Sequence, residues 1–270
     1  MKKSNFLNRF LIITSAATLL AVPSAQAALS FYEPFSATVF PDNTPLGKTS
    51  TNGWSVGNSV SSRGCSTVMT GAALNYESLA VEKDSRGVAR SANTSESHRN
   101  AGKLFGAPVT SGPVYCSFLV KAVTLPATNR CLLSLNQSTG GNGFASPAAS
   151  VWVDAAGRLL IGKNSSNGVS EATAALSDKT ALVVLKYTFN AGTGDDEVAL
   201  YLNPNPGKDE PAKPALTTVS GADIKKLEAL GLPQGRASDT THGANSGEIY
   251  LDEIRVGDTW ADVTPAATKK

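Results

Sequence analysis

Between residues 182 and 203 the chain reads LVVLKYTFNAGTGDDEVALYLN, and its large apolar side chains recur at every second position. Val183, Leu185, Tyr187 and Phe189 share one face of a first arm, while Lys186, Thr188 and Asn190 take the other. A period of two is that of a β-strand with one buried face. In a second arm Val198, Leu200 and Leu202 alternate with Glu197, Ala199, Tyr201 and Asn203. Gly192, Thr193, Gly194, Asp195 and Asp196 supply turn chemistry between the arms, and Pro204, which has no N–H to donate, ends the pairing. The pattern predicts a long β-hairpin. Each buried aliphatic or aromatic side chain is worth about 1.5–3 kcal/mol, so seven on one side of a hairpin require a second apolar layer.

The same alternation predicts strands over 114–123 (Val114, Cys116, Phe118, Val120) and 131–136 (Cys131, Leu133, Leu135). Shorter strands are expected over 29–35, 72–81 and 87–91. Residues 150–154 and 158–162 form a second hairpin, whose turn, Asp154-Ala155-Ala156-Gly157, has the chemistry of a type I turn running into a glycine bulge. Pro204, Pro206, Pro211 and Pro214 keep the next segment irregular. Ser220 to Asp223 resembles a helix N-cap, Ile224, Leu227 and Leu230 recur at helical spacing, and Gly231 offers a C-cap, which predicts one short surface helix. Residues 248–256 read as the last strong strand. The fold class expected is all-β, a sandwich of two antiparallel sheets.

The first 27 residues stand apart. Lys2, Lys3 and Arg9 precede an apolar run over 10–22, and Ala25-Gln26-Ala27 has the form of a signal-peptidase site, so cleavage is expected after Ala27 and the mature protein is expected to be secreted, periplasmic or on the cell envelope. The run is shorter than the ~20 residues of a membrane span, so no membrane insertion is expected after cleavage. Removing this segment takes three of the 24 basic residues and none of the 22 acidic ones, leaving 21 against 22. A near-neutral chain without basic clusters has no electrostatic footprint for nucleic acid. The 243 residues that remain are expected to form a single domain over 28–265, with a short polar tail over 266–270.

Cys65, Cys116 and Cys131 are an odd number with no CxxC pair, which removes zinc-site spacing. Cys116 and Cys131 both fall on apolar alternations, so two readings stand: a disulfide between consecutive strands, worth about 3 kcal/mol, or two buried free thiols. Ser-His-Asp catalysis has no support, because no GxSxG elbow exists and His98 and His242 both lie in polar stretches. Asp195, Asp196 and Glu197 form either a solvated turn or a set of hard oxygen ligands suited to Ca²⁺. Sugar binding uses aromatic platforms beside amides and charged groups. Trp152 and Tyr201 are opposite in parity to the apolar residues of their own strands, as is Lys186, which makes these three the candidate ligand-binding residues provided the two hairpins share a sheet. Core or edge packing is the competing reading for each aromatic.

The ending EIYLDEIRVGDTWADVTP over 248–265, the opening FYEPF at Phe31 and the segment KYTFNAGTGDDEVALYLNP together resemble secreted bacterial proteins with a concanavalin A-like (laminin G-like jelly-roll) lectin/glucanase domain. The resemblance implies two antiparallel sheets with the first and last strands side by side and one concave face that often binds glycans. It also implies that a structural calcium, if one ties the terminal strands, would use Glu33 and Asp252, with Glu33 standing where aspartate is usual. Many such relatives carry a hydrophobic sorting tail after this ending; here Ala266-Ala267-Thr268-Lys269-Lys270 follows, so no anchor is expected. The glucanase branch places its carboxylates as E-x-D-x-E or E-x-D-x-x-E on one strand. The nearest match, Glu82-Lys83-Asp84, runs into Gly87 and Val88 and lacks the third carboxylate. Two functions of different class follow: a non-catalytic glycan-binding or envelope-associated protein, favoured by the missing motif, and a polysaccharide hydrolase or lyase with an unrecognised active site. They separate on whether the groove gathers carboxylates or a Tyr/His pair, or only aromatics and amides.

Overall fold

The computed structural model describes residues 31–46, 52–56, 66–90, 100–139, 147–164, 173, 175–176, 178–233 and 247–268. The expected leader, Cys65, His98 and His242 lie outside them.

The central hairpin forms as its alternation requires. Strands β11 (Ala181–Phe189) and β12 (Glu197–Leu202) pair antiparallel, with Val183 opposite Leu202, Leu185 opposite Leu200 and Tyr187 opposite Val198. β11 also pairs with β7 (Gly112–Thr124), which puts Cys116, Phe118 and Val120 on the same buried face. With β13 (Leu216–Thr218), β15 (Glu248–Gly257), β5 (Val88–Arg90), β4 (Thr67–Val68) and β2 (Thr44–Pro45), these make the larger sheet, in the order β13-β12-β11-β7-β15-β5-β4-β2. The first strand, β1 (Phe31–Glu33), pairs with β15, the last one, Phe31 facing Val256.

The smaller sheet has the order β10-β9-β8-β14-β6-β3, from β10 (Leu159–Lys163), β9 (Pro147–Val153), β8 (Arg130–Asn136), β14 (Leu227–Leu232), β6 (Ala101–Val109) and β3 (Ser55–Val56). One apolar cluster joins the two sheets, with Val183, Leu185, Tyr187, Phe118 and Leu251 from the larger and Leu133, Leu135, Val151, Ile161 and Leu230 from the smaller. The architecture is a two-sheet antiparallel β-sandwich. The β9–β10 turn has the expected form: the Gly157 N–H donates to the Asp154 carbonyl at 3.0 Å, Gly157 adopts φ 79°, and an Asp154 carboxylate oxygen accepts from the N–H groups of Ala156 and Arg158.

Two departures from expectation share one cause. The segment expected as a helix is instead β14, paired between β8 and β6 near the middle of the smaller sheet. Its register against β6 shifts between Leu227, opposite Val109, and Ala229, opposite Leu104, so four residues of β6 (105–108) stand against the single Glu228, and across this irregularity both Leu227 and Leu230 reach the core. A bulge thus reproduces the three-residue spacing of a helix. Among the described residues the one α-helix, α1, is Trp260–Val263, closed at its start by a capping box in which Asp262 accepts from the Thr259 N–H and the Thr259 hydroxyl accepts from the Asp262 N–H.

A second bulge, between Cys131 and Leu133, pairs Cys131 with Trp152 and Leu133 with Val151. Leu133 therefore faces the core, whereas Cys131 turns to the opposite face of the smaller sheet and Cys116 stays between the sheets. Both are free buried thiols, which decides between the two readings of this pair. Across the core, Arg90 is fully buried on β5 and its guanidinium donates to the carbonyls of Cys131 (2.8 Å), Leu132 (2.7 Å) and Pro233. Burial pushes the Cys131 thiol up to about 12 and the Cys116 thiol higher still, so neither is a thiolate at neutral pH. Alkylation of the native protein should leave Cys116 and Cys131 unmodified, with both labelled fully once it is denatured without reductant. A non-reduced peptide linking them would contradict this pairing of strands.

Candidate functional site

Because each strand of a sandwich has one core face, the other face is where a ligand can be met. On the smaller sheet the outward positions of β9 are Ser150 and Trp152, between core residues Ala149, Val151 and Val153, and those of β8 include Ser134 and Asn136, flanking Leu135. Trp152 thus has the parity the sequence implies. It is not a wet platform, however: it is 2% exposed, and its indole N–H donates to the Ser150 hydroxyl at 2.9 Å. Ser134, opposite Ser150, and Asn136, further along β8, are buried on the same face, and neither the Ser134 hydroxyl nor either amide atom of Asn136 has a hydrogen-bond partner. Burying such a group unpaired costs about 1–3 kcal/mol. The alternation LSLN over 133–136, apolar in and polar out, was a readable signal for this pair. No outward position in the described pairings of this sheet carries a charge: Leu160, Gly162, Ser150, Trp152, Cys131, Ser134, Asn136, Ala229, Gly231, Gly102, Leu104 and Ser55.

The two hairpins do not share a sheet, so Trp152 is not brought together with Tyr201 and Lys186. Those two face outward from the larger sheet and meet at Glu210, a residue that hairpin parity did not point to. One carboxylate oxygen of Glu210 accepts from Lys186 Nζ at 2.8 Å and from the Tyr201 hydroxyl, and the other accepts from the Tyr115 hydroxyl at 2.7 Å. Trp260 on α1 stands edge-on to Tyr201 at 4.9 Å and to Tyr115 at 6.0 Å. Burial pushes the Tyr201 and Tyr115 hydroxyls up, and hydrogen bonds to Glu210 add to this. For Glu210, burial acts upward but the bonds from Lys186, Tyr201 and Tyr115 outweigh it and hold the carboxyl below its usual range. At neutral pH each group keeps its ordinary protonation state, a poor setting for acid–base catalysis. A depression of about 460 Å³ beside the cluster is lined by Lys208, Asp209, Glu210, Thr259 and Trp260.

The metal candidates fall into two places. Glu33 accepts from the Phe35 N–H (3.0 Å), the Trp54 indole (3.0 Å) and Lys103 Nζ (2.7 Å). Asp252 accepts from the N–H groups of Leu74 (2.9 Å) and Glu253 (2.8 Å) and from the Ser85 hydroxyl (3.1 Å). The two carboxylates share no partner, and Lys103 already neutralises Glu33. Asp195 and Asp196 come within 4.8 Å of a third carboxylate, Asp223, yet the buried Lys163 ammonium sits on Asp223 at 2.7 Å. Asp196 is taken up by the Tyr187 hydroxyl and the Asn190 N–H, and Asp223 also accepts from the N–H groups of Gly194 and Asp196. An ammonium and backbone donors supply what a cation would, so these residues do not fit a calcium site as they stand.

No family model matches the chain, and no curated protein matches it. Among solved structures it is similar to an endo-β-1,4-glucuronan lyase from the fungus Trichoderma reesei, at 12% identity over 89% of this chain and 100% of that chain, with a TM-score of 0.47. It is similar to an alginate lyase at 12% identity, over 84% and 95% of the two chains, with a TM-score of 0.48. A carbohydrate esterase from a Shiga toxin-encoding bacteriophage gives 14% identity, 84% and 97% coverage and a TM-score of 0.48. The two-sheet architecture rests on the strand pairing itself.

Millimolar calcium should leave the melting temperature unchanged, because the state that binds an ion would have to give up Lys163 or Lys103; a rise of several degrees would show a site these contacts do not describe. Asp252 gives a pH signature. Burial is the main cause that pushes its carboxyl up to about 7, so the folded state holds this proton while the unfolded chain releases it near pH 4. Its contribution is fully present below pH 4 and is lost as pH rises to about 7. The stability of Asp252→Asn relative to the unsubstituted protein should therefore increase across that window by a few kcal/mol, as read from denaturant melts at pH 4, 5.5 and 7. A pH-independent difference would contradict the assignment.

Proposed function

We propose that the mature protein is exported and binds a glycan on the outer face of the smaller sheet without cleaving it. Export is supported by the basic, apolar and A-x-A sequence of residues 1–27. The observation that carries the binding reading is the chemistry of that face. An indole at Trp152, hydroxyls at Ser150 and Ser134 and, further along β8, an amide at Asn136 share that buried face, and two of these groups have unused hydrogen-bonding capacity. Aromatic, amide and hydroxyl groups are what recognition of sugar rings uses.

The non-catalytic half of the reading is supported by what these positions offer a reaction. Glycoside hydrolysis places two carboxyl groups about 5–5.5 or 6.5–9.5 Å apart across the scissile bond, and the paired outward positions of the smaller sheet carry no carboxylate. On the larger sheet, the Glu210 cluster is held by mutual hydrogen bonds in fixed protonation states. An envelope-associated role follows from export combined with glycan binding.

The test is a glycan-array screen of the protein lacking residues 1–27, followed by product analysis on every polysaccharide retained. Binding without release of reducing ends or unsaturated products is expected. Trp152→Leu should weaken binding at least tenfold, and Lys186→Met, on the other sheet, should not. Product release would overturn the non-catalytic reading in favour of a hydrolase or lyase, and a blank array would overturn glycan binding altogether.

A further inference from the structure

Residues 73–86 form a loop whose two ends meet. The Met69 N–H donates to the Gly87 carbonyl at 2.9 Å, and Gly87 lies so close to Ala72 that a Cβ on it would stand 1.7 Å from the Ala72 carbonyl oxygen. This is the form of an Ω-loop. It contributes no strand to either sheet and lies on the outer face of the larger one, where Leu74, Tyr76 and Leu79 pack with Leu119 and Leu182.

Side chains of β15 hold the loop down. The strand bulges between Asp252 and Arg255, and Glu253 there has φ 54°, a left-handed conformation that residues with a Cβ rarely adopt. Asp252 accepts from the Leu74 N–H at 2.9 Å and the Ser85 hydroxyl at 3.1 Å, Glu253 accepts from the Glu82 N–H at 2.9 Å, and Arg255 donates to the Ala80 carbonyl. The end of the chain closes the tip: the Ala80 N–H donates to the Pro265 carbonyl at 2.8 Å and the Ala267 N–H to the Ser78 carbonyl at 2.7 Å.

Asp252 and Glu253 are consecutive, fully buried carboxylates, and they are balanced differently. Glu253 has Arg255 at 2.6 Å and the Tyr32 hydroxyl of β1 at 2.7 Å. Asp252 has uncharged donors alone: two N–H groups and the Ser85 hydroxyl. The other charged groups of the elements packed here are engaged elsewhere or face water. Glu33 of β1 holds Lys103, Arg90 of β5 reaches the Cys131 carbonyl, and Arg86 donates to the Phe40 carbonyl. Lys121 of β7 is opposite Tyr250, whose hydroxyl is on Glu248, and Glu77, Glu82, Lys83 and Asp84 of the loop are exposed. The charge that acts on Asp252 is therefore that of Glu253, which has the same sign.

We propose that this loop is a pH-sensitive strap, closed over the larger sheet while Asp252 is protonated and released as a unit, with the sandwich still folded, when Asp252 ionises beside Glu253. The proposal concerns the other sheet and stands apart from the glycan-binding reading. A hydroxyl, unlike an N–H, can turn to accept the carboxylic proton, so Ser85 serves the closed form. Burial is the main cause that pushes the Asp252 carboxyl up to about 7 in the closed state, whereas in the released strap it meets water and ionises near pH 4. Closure is thus favoured fully below pH 4 and weakens as pH rises to about 7. Release uncovers Leu119 and Leu182.

The experiment is amide hydrogen exchange of the protein lacking residues 1–27 at pH 5 and pH 8, corrected for the intrinsic exchange rate, with peptides from 74–83 compared with peptides from β11. The strap should open more readily than β11 at both pH values, which marks opening short of global unfolding. Its opening constant should rise about tenfold or more between pH 5 and pH 8. Asp252→Asn, which cannot ionise, should abolish that rise. A strap that exchanges no faster than β11 would overturn release as a unit. Strap protection that does not change with pH, or a rise that survives in Asp252→Asn, would overturn the role of Asp252. The first two comparisons need the unsubstituted protein alone, so they decide the matter whether or not the variant folds.

Discussion

The structure depends on face-to-face packing of two sheets, and that packing assigns every strand residue to one of two roles. Val183, Leu185 and Tyr187 on one sheet share a core with Leu133, Val151 and Leu230 on the other, each buried side chain contributing about 1.5–3 kcal/mol. Once those residues face inward, their neighbours must face outward, because successive strand residues point to opposite sides. Trp152 is held on the outer face by Val151 and Val153, and Ser134 and Asn136 by Leu133 and Leu135. The position of the candidate ligand face is thus a consequence of core packing.

The two outer faces are finished differently. On the larger sheet, Tyr115, Val184, Ala199, Tyr201, Trp260 and Val263 form a satellite core, and Leu74, Tyr76, Leu79, Leu119 and Leu182 form another, so much of that face is used to hold α1 and the chain segments around it. On it Lys186 and Glu210 neutralise each other, and two tyrosines complete the carboxylate's bonds. The Lys163–Asp223 pair does the same for the hairpin loop, fastening β10 of one sheet to the turn of the other. On the smaller sheet, by contrast, polar atoms remain unpaired. A buried polar group without a partner carries a cost, and replacing it by an apolar group of the same shape would stabilise the fold.

How much of this was legible in the sequence depended on whether a residue's fate was set locally. The central hairpin, its inward face and its turn could be read because one strand's alternation determines them, and so could the type I turn at Asp154. Bulges defeated the same reasoning in two places. The irregular pairing at Glu228 made a strand imitate a helix, and the extra residue at Leu132 turned Cys131 away from Leu133 and Leu135. The bulge at Leu132 carries no glycine or proline to announce it, and at the other the excess residues, Gly106 and Pro108 among them, lie on β6, away from the segment expected as a helix. The partnership of Tyr201 and Lys186 with Glu210 was also out of reach. It is made by an irregular proline-rich segment folding back on the sheet, a contact without periodicity.

The three tryptophans report on three different places: Trp54 in the shared core, Trp152 on the outer face of the smaller sheet and Trp260 on that of the larger. An NMR titration of protein labelled with ¹⁵N at tryptophan, its three indole resonances assigned by single Trp→Phe variants, reads them separately as a soluble neutral oligosaccharide is added. If the smaller sheet is the ligand face, the Trp152 indole resonance shifts saturably while those of Trp54 and Trp260 stay in place. A saturable shift of Trp260 with Trp152 unmoved would place the ligand in the depression beside Glu210 and contradict the account.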